Sequence, residues 1–363
     1  MEFSRRRMLE ASGATLASSL LAPALAQQAS APPAPQAKPD PYADGVLVAG
    51  EPPLPLPGAF TFAVLPDTQF YAEKFPETFT AQTHWIAANR QQRRIAGVFH
   101  LGDITNNNTA LEWENAQASM RVLTAAKIPC CMVPGNHDYG PGGKGSDRTT
   151  RLNDYFSIAD HRRRKEWGGS YDREPDRLEN TYQLLEAEGR KFLILGLEFG
   201  PRADVVRWAN EVAGDHRGHE IVLLTHAFVY HDDTRYDWQQ FGAMQSANPH
   251  SYKMAKTSGQ DVSDGEELWR NLVSRHSNFI LTINGHVGPD GLGRLTSPAA
   301  DGRVIPQTLV NFQFRPQGGD GWLRLIEMRP DGSAQTYDYS PTRGQRNEAE
   351  QNQFLLKLPP LHG

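Results

Sequence analysis

The stretch Ile128-Pro129-Cys130-Cys131-Met132-Val133-Pro134-Gly135-Asn136-His137-Asp138 joins an apolar run to a polar cluster. The run 128–133 predicts a short buried strand, and the glycine after it predicts a turn. Asn136 is then expected just beyond the end of a strand, where its carboxamide oxygen can serve as a metal ligand. His137 beside it suits the role of a general acid. The stretch therefore predicts a chemical site at the edge of a sheet.

Four further segments place similar side chains after apolar runs. They hold Asp67, the pair Gly102-Asp103, His226, and the pair Gly285-His286. Because the carboxyl ends of strands in an α/β sheet open onto one crevice, we expect these side chains to converge. Two carboxylates, one carboxamide and two imidazoles suit two divalent metal ions.

Asp103 is the predicted bridge between the two metal ions. It ends the run 97–102, and Gly102 leaves room for a metal to approach the backbone. A bridging carboxylate needs oxygen and imidazole ligands on either side and an open position for water. The remaining ligands predicted at this point are Asp67, Asn136, His226 and His286.

His137 is predicted to protonate the leaving oxygen, oriented by Asp138. In this prediction a metal-activated water is the nucleophile, so no serine or cysteine nucleophile is required. The sequence contains no G-x-S-x-G segment, which argues against an acyl hydrolase.

In order and spacing these segments resemble the pattern of the calcineurin-like metallophosphoesterases, a superfamily that includes purple acid phosphatases and many phosphodiesterases. The family pattern is D-x-H, then GD, then GNH[D/E], then a lone His, then GHxH. The resemblance spans roughly residues 60 to 290 and implies a sandwich of two β-sheets flanked by helices. The matching segments are Asp67-Thr68-Gln69, Gly102-Asp103, Gly135-Asn136-His137-Asp138, His226 and Gly285-His286-Val287-Gly288.

Two positions depart from the family pattern. Gln69 stands where the first motif has histidine, and Gly288 stands where the last motif has its second histidine. The resemblance implies that both missing imidazoles belong to one metal site. Gln69 is then an amide-oxygen ligand in an oxygen-rich site, which favours a harder ion such as Mg²⁺ or Mn²⁺ over Zn²⁺. Two alternatives remain. Either Asp290 or His231 supplies the missing ligand, or the second metal site is empty.

The cofactors expected from this interpretation are therefore two divalent metal ions, from among Mn, Mg, Fe and Zn. One is expected to be held firmly and the other to exchange.

Strand and helix patterns alternate along the chain, which predicts an α/β fold with four layers, a two-sheet β-sandwich flanked by helices. Towards the end of the chain, Pro330-Asp331-Gly332-Ser333 predicts a hairpin turn between two strands. The predicted strands lie at 59–66, 96–101, 129–133, 191–197, 220–225 and 279–284, and the predicted helices at 78–94, 110–126, 204–213 and 266–274.

Composition bounds the class of partner. The chain has 363 residues and a formal net charge of −5. The one basic run after the N-terminal segment, 162–165, is typical of a solvated helix face, so no dedicated nucleic-acid surface is expected. The expected partner is a small phosphorylated substrate.

The first residues predict export. Ser4-Arg5-Arg6-Arg7-Met8-Leu9 resembles a twin-arginine motif, and Ala24-Leu25-Ala26 suits signal cleavage. We expect the twin-arginine translocase as a partner during export, a periplasmic or secreted location, and no membrane anchor, because 9–25 is too polar and short. A basic, disordered start is the alternative. The predicted divisions are a signal peptide at 1–26, a Pro/Ala-rich linker at 27–57, a metallophosphoesterase domain at 58–341 and a C-terminal tail at 342–363.

Four residues near these motifs are candidates for substrate binding. Asn106 and Asn107 follow the Asp103 loop, where their amides can reach a phosphate or merely form a turn. Arg202 ends a strand, where it contacts either substrate or solvent. Arg235 follows His226 and is a candidate anion ligand.

Three functions compete for this sequence. The first is an exported, metal-dependent phosphoesterase acting on a phosphomonoester or phosphodiester. The second is a non-catalytic binding protein on the same fold with a degraded metal site, and the presence of His137 argues against it. The third is a metal-dependent hydrolase of a pyrophosphate.

Overall fold

The computed structural model describes residues 40–257, 261–288 and 290–360. Within them fifteen strands form two mixed sheets. The strands are β1 Leu47–Ala49, β2 Phe60–Leu65, β3 Ile95–His100, β4 Cys130–Met132, β5 Trp167–Ser170, β6 Thr181–Ala187, β7 Arg190–Gly196, β8 Glu220–Leu224, β9 Phe279–Asn284, β10 Leu292–Pro298, β11 Val304–Val310, β12 Leu323–Met328, β13 Ser333–Ser340, β14 Gln345–Asn347 and β15 Leu355–Lys357.

The first sheet has the strand order β1-β14-β13-β12-β2-β3-β4, with β15 also paired to β13. Strands β2, β3 and β4 are parallel, so their carboxyl ends meet at one edge. β12 and β13 form the antiparallel hairpin that the turn at 330–333 predicts. β12 also pairs antiparallel with β2.

The second sheet has the order β10-β11-β9-β8-β7-β6-β5. Its centre, β11-β9-β8-β7, is parallel, and antiparallel strands flank it on both sides. The carboxyl ends of β8 and β9 therefore lie at the same edge of this sheet. His226 and His286 follow these two strands in the sequence.

Helices cover the outer faces of both sheets. The α-helices are α1 Gln69–Lys74, α2 Pro76–Asn89, α3 Ala110–Ala125, α4 Leu152–Tyr155, α5 Ile158–Arg162, α6 Ala203–Asp215, α7 Trp238–Phe241, α8 Lys253–Thr257, α9 Gly265–Asn271 and α10 Pro316–Gly319. Short 3₁₀ turns lie at Asn136–Asp138, Gly242–Met244, Pro249–Ser251 and Val273–Arg275.

Local sequence explains where the longer helices begin. α2 has Pro76 in its first turn, where a missing backbone N–H does no harm. α3 begins at a capping box, in which the Thr109 side chain accepts from the backbone of Glu112 and the Glu112 carboxylate accepts in return. Both helices were predicted, and both are confirmed.

The hydrophobic core has three layers that follow from strand alternation. Along β2, Phe62 and Val64 pack between the two sheets, whereas Ala63 and Leu65 face the helices α2 and α3. Because both faces are buried, β2 is a continuous apolar run rather than an alternating one. A third cluster packs α6 and α9 against the second sheet. The predicted four-layer sandwich is confirmed.

The two ends of the predicted domain differ from expectation. β14 and β15 lie in the segment 342–363, and Leu356 there is buried in the core, so this segment is an integral part of the first sheet rather than a tail. Likewise, β1 lies in the predicted linker and pairs with β14. The sequence signal is weak because these strands are only three residues long.

The chain from Pro41 onward forms one compact unit. The predicted signal peptide at 1–26 and the linker up to residue 39 lie outside the described residues. Across the described ranges, no helix combines the length and the apolar character that crossing a membrane requires.

Candidate metal centre and active site

Each predicted ligand lies in a loop just beyond the end of a parallel strand. Asp67 follows β2, Asp103 follows β3 and Asn136 follows β4, all in the first sheet. His226 follows β8 and His286 follows β9 in the second sheet. The cluster therefore forms where the carboxyl edges of the two sheets meet, as the sequence predicts.

Glycines let the backbone pass close to the ligand side chains. A Cβ on Gly135 would lie 2.2 Å from Oδ1 of Asp103, and a Cβ on Gly285 would lie 2.1 Å from Oδ1 of Asp67. Neither position accepts a side chain without displacing a carboxylate. Two of the ligands are themselves in the left-handed region, Asp103 with φ 45° and His286 with φ 92°. Such strained backbone persists only where its surroundings hold it, and it is enriched at functional sites.

The protons on the two histidines can be assigned from their partners. Nδ1 of His226 lies 2.7 Å from the carbonyl oxygen of Leu101, and Nε2 of His286 lies 2.7 Å from that of Ala247. A carbonyl oxygen only accepts, so each of these nitrogens carries its hydrogen. In the neutral rings the opposite nitrogens, Nε2 of His226 and Nδ1 of His286, are then bare lone pairs. These two atoms lie 3.1 Å apart.

Oxygen acceptors complete this group. Nε2 of His226 lies 3.2 Å from Oδ1 of Asp103 and 3.2 Å from Oδ1 of Asn136. Ligand atoms of Asp103, His226 and His286 all lie within 4.8 Å of one another, and all three residues are buried. Four electron pairs facing one point repel one another unless a cation lies between them. The donor set therefore fits a divalent metal ion with mixed nitrogen and oxygen ligands.

The acid–base behaviour of the metal-free group agrees with this fit. Burial alone lowers the pKa of His226, but the charges of Asp103 and Asp67 outweigh it and raise that pKa to about 9. Burial and the charge of His226 lower the pKa of His286 to about 3. Without metal, a single proton on His226 thus takes the place of the cation.

The second ligand group surrounds Asp67. Its carboxylate accepts from the backbone N–H of His286 at 3.1 Å and from Nδ2 of Asn311 at 2.8 Å. Burial, together with the charge of Asp103, raises the pKa of Asp67 to about 7, although the charge of His226 opposes this. Asp67 is therefore a fixed carboxylate that a nearby cation would stabilise in its ionised form.

Gln69 begins α1. It lines a cavity that Asp103, Asn136 and His286 also line. Its Nε2 donates to Oδ1 of Asn106 at 3.3 Å, which orients the amide. Its Oε1 is buried and has no hydrogen-bond partner among the described residues. An orphaned, buried carbonyl oxygen on a residue that lines a cavity with Asp103 fits an oxygen-preferring cation.

Gly288 has no room for a side chain. Its φ is 115°, and a Cβ there would lie 2.8 Å from Cβ of His231. His231 thus occupies the space that a side chain at 288 would enter, and it lines the cavity itself. A histidine at 288 would therefore require His231 or the local backbone to move.

His137 is held by the backbone rather than by Asp138. Its Nδ1 lies 2.8 Å from the carbonyl oxygen of Asn106, so Nδ1 donates and Nε2 is left for the cavity. The prediction that Asp138 orients His137 is wrong in this detail. Asp138 is fully buried and accepts from the backbone N–H groups of Gly135, Ile104 and Thr105, which ties two ligand loops together.

The predicted substrate residues divide into two groups. Asn106 lines the cavity, and its amide is fixed by Glu73 and Gln69. Asn107, Arg202 and Arg235 are engaged elsewhere and do not line it.

Their bonds explain why. Asn107 donates to Glu112 at the start of α3. Arg202 pairs with Glu174 and Glu198.

Arg235 pairs with Glu266 and bonds Ser297 and Gln307. The structure therefore corrects the prediction that these three side chains face substrate, because each side chain is bonded to structural partners and none lines the cavity.

Several residues of the site were missed from the sequence. Asn311 follows β11 directly, and its strand was not predicted. Tyr252 and the pair Gln313-Phe314 line the cavity, as does Phe70. Their only sequence signal is position after a strand or next to a motif, which many unrelated loop residues share.

A two-sheet sandwich with carboxylate, amide and imidazole ligands at its strand ends is the architecture of metal-dependent phosphoric ester hydrolases. The chain belongs to the calcineurin-like phosphoesterase family, whose model matches residues 60–300. Membership suggests a pair of divalent metal ions and a small phosphorylated substrate.

Similar proteins are distant. The uncharacterized protein YvnB of Bacillus subtilis (strain 168) is 28% identical over 308 residues, which is 82% of this chain and 21% of that protein. The chain thus spans about a fifth of this curated relative.

Solved structures with a similar course of the chain include two phosphatases and a nucleotidase. A dimetal phosphatase from Danio rerio has a TM-score of 0.49 at 14% identity, covering 82% of this chain and 98% of that one. Purple acid phosphatase PPD1 from Lupinus luteus has a TM-score of 0.47 at 13% identity, covering 84% and 55%. A 5'-nucleotidase precursor from Thermus thermophilus has a TM-score of 0.44 at 14% identity, covering 83% and 55%.

Proposed function

We propose that this protein is an exported, metal-dependent phosphoesterase in which His137 is the general acid. The observation that carries the proposal is the convergence of ligand atoms from Asp103, His226 and His286 beside a cavity that Asp103 and His286 line. Every other polar atom of the two imidazoles is already bonded to a carbonyl oxygen. The geometry is that of a centre preformed for a cation.

The candidate ligands are assigned to two metal sites. Asp103, Asn136, His226 and His286 would hold one metal ion, and Asp67 and Gln69, with Asp103 as the bridge, would hold the other. A metal pair would supply Lewis-acid polarisation of the phosphoryl group and a more acidic water.

His137 acts from the side of the cavity. Its Nδ1–H is committed to the carbonyl oxygen of Asn106, so its Nε2 is the atom that carries and delivers a proton. Its backbone N–H donates to Oδ1 of Asp103 at 2.9 Å, which fixes the acid relative to the predicted bridge. Delivery of that proton to the leaving oxygen avoids an unstable alkoxide.

The test is a hydrolysis panel on metal-loaded protein. Phosphomonoesters, phosphodiesters, nucleotides and inorganic pyrophosphate are each assayed with Mn²⁺, Mg²⁺, Fe²⁺ and Zn²⁺, with chelator-treated protein as control. Metal-dependent release of an alcohol or phenol supports the proposal. Pyrophosphate cleavage alone would support the pyrophosphate hydrolase instead. Metal binding without turnover on any substrate would support the non-catalytic binding protein.

Export is a separate part of the proposal. The motif that supports it, Arg5-Arg6-Arg7, lies outside the described residues. Expression in a bacterium with an intact twin-arginine translocase should deliver the protein to the periplasm. Replacing the three arginines by lysine should retain it in the cytoplasm, and unchanged export would contradict this part of the proposal.

A further inference from the structure

The wall of the cavity beside the candidate metal centre combines the predicted ligands with residues of a different chemical character. Its volume is about 610 Å³, enough for a substrate larger than inorganic phosphate. Apart from the predicted ligands and His137, the wall is made of aromatic or apolar residues, amide and hydroxyl side chains, and one further histidine. These residues are Phe70, Asn106, His231, Ser246, Ala247, Tyr252, Val287, Gly288, Gln313 and Phe314.

The charge of this wall bears on the charge of the substrate. Among the lining residues that the structure describes, none is a lysine or arginine. The two nearby candidates, Arg202 and Arg235, are each paired with glutamate. Charge neutralisation in the cavity is therefore left to the metal centre and to the two wall histidines outside the predicted ligands, His137 and His231.

A monoester and a diester make different demands on such a wall. A monoester has three non-bridging oxygens that share two negative charges, and a diester has two that share one. Two non-bridging oxygens can both face the metal centre. Apart from His231, the third oxygen of a monoester would face amides and aromatic rings, where an unpaired charge is costly to desolvate. In a diester that position is an ester oxygen that carries an organic group.

The aromatic part of the cavity wall suits an organic group. Phe314 is 58% exposed although it is large and apolar, and it stands at the cavity with Phe70 and Tyr252. Phe70 and Tyr252 are half-buried, so covering these three rings with an organic group would remove apolar surface from water. A planar substituent would find stacking or edge contacts there.

Gln313 adds a polar requirement. It is 7% exposed, it lines the cavity, and its Oε1 is buried without a hydrogen-bond partner among the described residues. Exchanging the oxygen and nitrogen of the amide would only leave a nitrogen in the same buried position. Either way, one polar atom beside Phe314 is buried without a partner among the described residues, and a polar edge of the substrate would supply one.

On the proposed function, we infer that the substrate is a phosphodiester with at least one planar substituent that forms hydrogen bonds. The phosphoryl group lies at the metal centre, and the planar group lies against Phe314 with a polar edge towards Gln313. The other ester oxygen faces His137 and leaves with its proton.

A matched set of substrates tests the inference. Bis(p-nitrophenyl) phosphate and thymidine 5'-p-nitrophenyl phosphate are compared with p-nitrophenyl phosphate on the Mn²⁺-loaded full chain. We expect kcat/KM to be higher for both diesters by at least about tenfold, equivalent to about 1.4 kcal/mol. A monoester preference with real turnover would overturn the inference while leaving the proposed function intact.

Binding provides a readout that does not depend on turnover. Diphenylphosphinate is a stable monoanion with two rings, and phenylphosphonate is a related acid with one ring and a second ionisable oxygen. Calorimetry should show tighter binding of diphenylphosphinate. If no ester is hydrolysed but this preference holds, the ligand class stands and the proposed catalysis falls. Tighter binding of phenylphosphonate would overturn the inference.

Single-residue variants test which side chains produce the preference for a diester with a planar substituent. Phe314→Ala and Gln313→Ala should each lower the ratio of kcat/KM for thymidine 5'-p-nitrophenyl phosphate over methyl p-nitrophenyl phosphate by about five- to tenfold. General damage to the site would lower both values together and leave the ratio unchanged. Val304→Ala is the matched control, because Val304 is also exposed, at 51%, but lies at the opposite end of β11 from Asn311. An unchanged ratio in both cavity variants would refute the placement.

Discussion

Replacing His137 with alanine separates proton delivery from metal binding. Nδ1 of His137 donates to the carbonyl oxygen of Asn106, and the ring is not part of the group formed by Asp103, His226 and His286. His137→Ala should therefore retain near-normal metal content. The lost hydrogen bond should reduce the free energy of unfolding by only about 0.5–1.5 kcal/mol.

The kinetic effect should depend on the leaving group. Loss of a positioned general acid slows turnover by about 10²- to 10⁴-fold, or about 2.7–5.5 kcal/mol in activation free energy. This full loss applies to an ester of a poor leaving group such as benzyl alcohol. A p-nitrophenyl ester needs little protonation, so its loss should be below about tenfold.

The assay is kcat for the two esters, with elemental analysis of the same preparations. His84→Ala is the matched control, because His84 is exposed on α2 and outside the cavity. Loss of metal from His137→Ala would refute the assigned division of roles. Equal losses for both leaving groups would refute His137 as the acid.

Four further outcomes follow from the geometry. Asp103→Asn should remove metal and activity together in elemental and kinetic assays, because its Oδ1 faces the imidazole ligands; retained metal would contradict the bridge. Dialysis against a weak chelator should leave one metal ion per chain, and two equally tight ions would contradict the weak second site. Gln69→His should raise the affinity of that site for Zn²⁺ in a titration, whereas Gly288→His should lower Tm, since its Cβ would lie 2.8 Å from that of His231. Deleting 342–363 should destabilise the protein to denaturant by several kcal/mol, at about 1.5–3 kcal/mol for each buried apolar side chain lost; an unchanged midpoint would restore the tail interpretation.

The long elements of the fold were predictable because their signals are local. β9 is a mainly apolar run between Asn278 and Gly285, and its observed bounds match the prediction. The capping box of α3 fixes its start from sequence alone. Short strands such as β1 and β14 were missed, because three residues carry no period and their pairing partner lies about 300 residues away.

The convergence of the candidate metal ligands was predictable because glycine and candidate ligand occur as neighbours in most of the motifs. The side chains that hold those ligands were not predictable. Asn311 bonds Asp67 across 244 residues, and its neighbours in sequence give no sign of this contact. The predicted substrate-binding roles of Arg202 and Arg235 were wrong for the same reason. A sequence does not show which carboxylate will pair with an arginine.

Hydrogen bonds between the two sheets order the centre before any cation binds. His226, from the second sheet, donates to the backbone of Leu101 in the first. Asp67, from the first sheet, accepts from the backbone of His286 and the side chain of Asn311 in the second. Folding itself thus fixes the donors, and ligand affinity depends on the chemistry of each position rather than on its ordering. For this reason a weaker ligand at Gln69 can loosen one metal site without disturbing the geometry of the other.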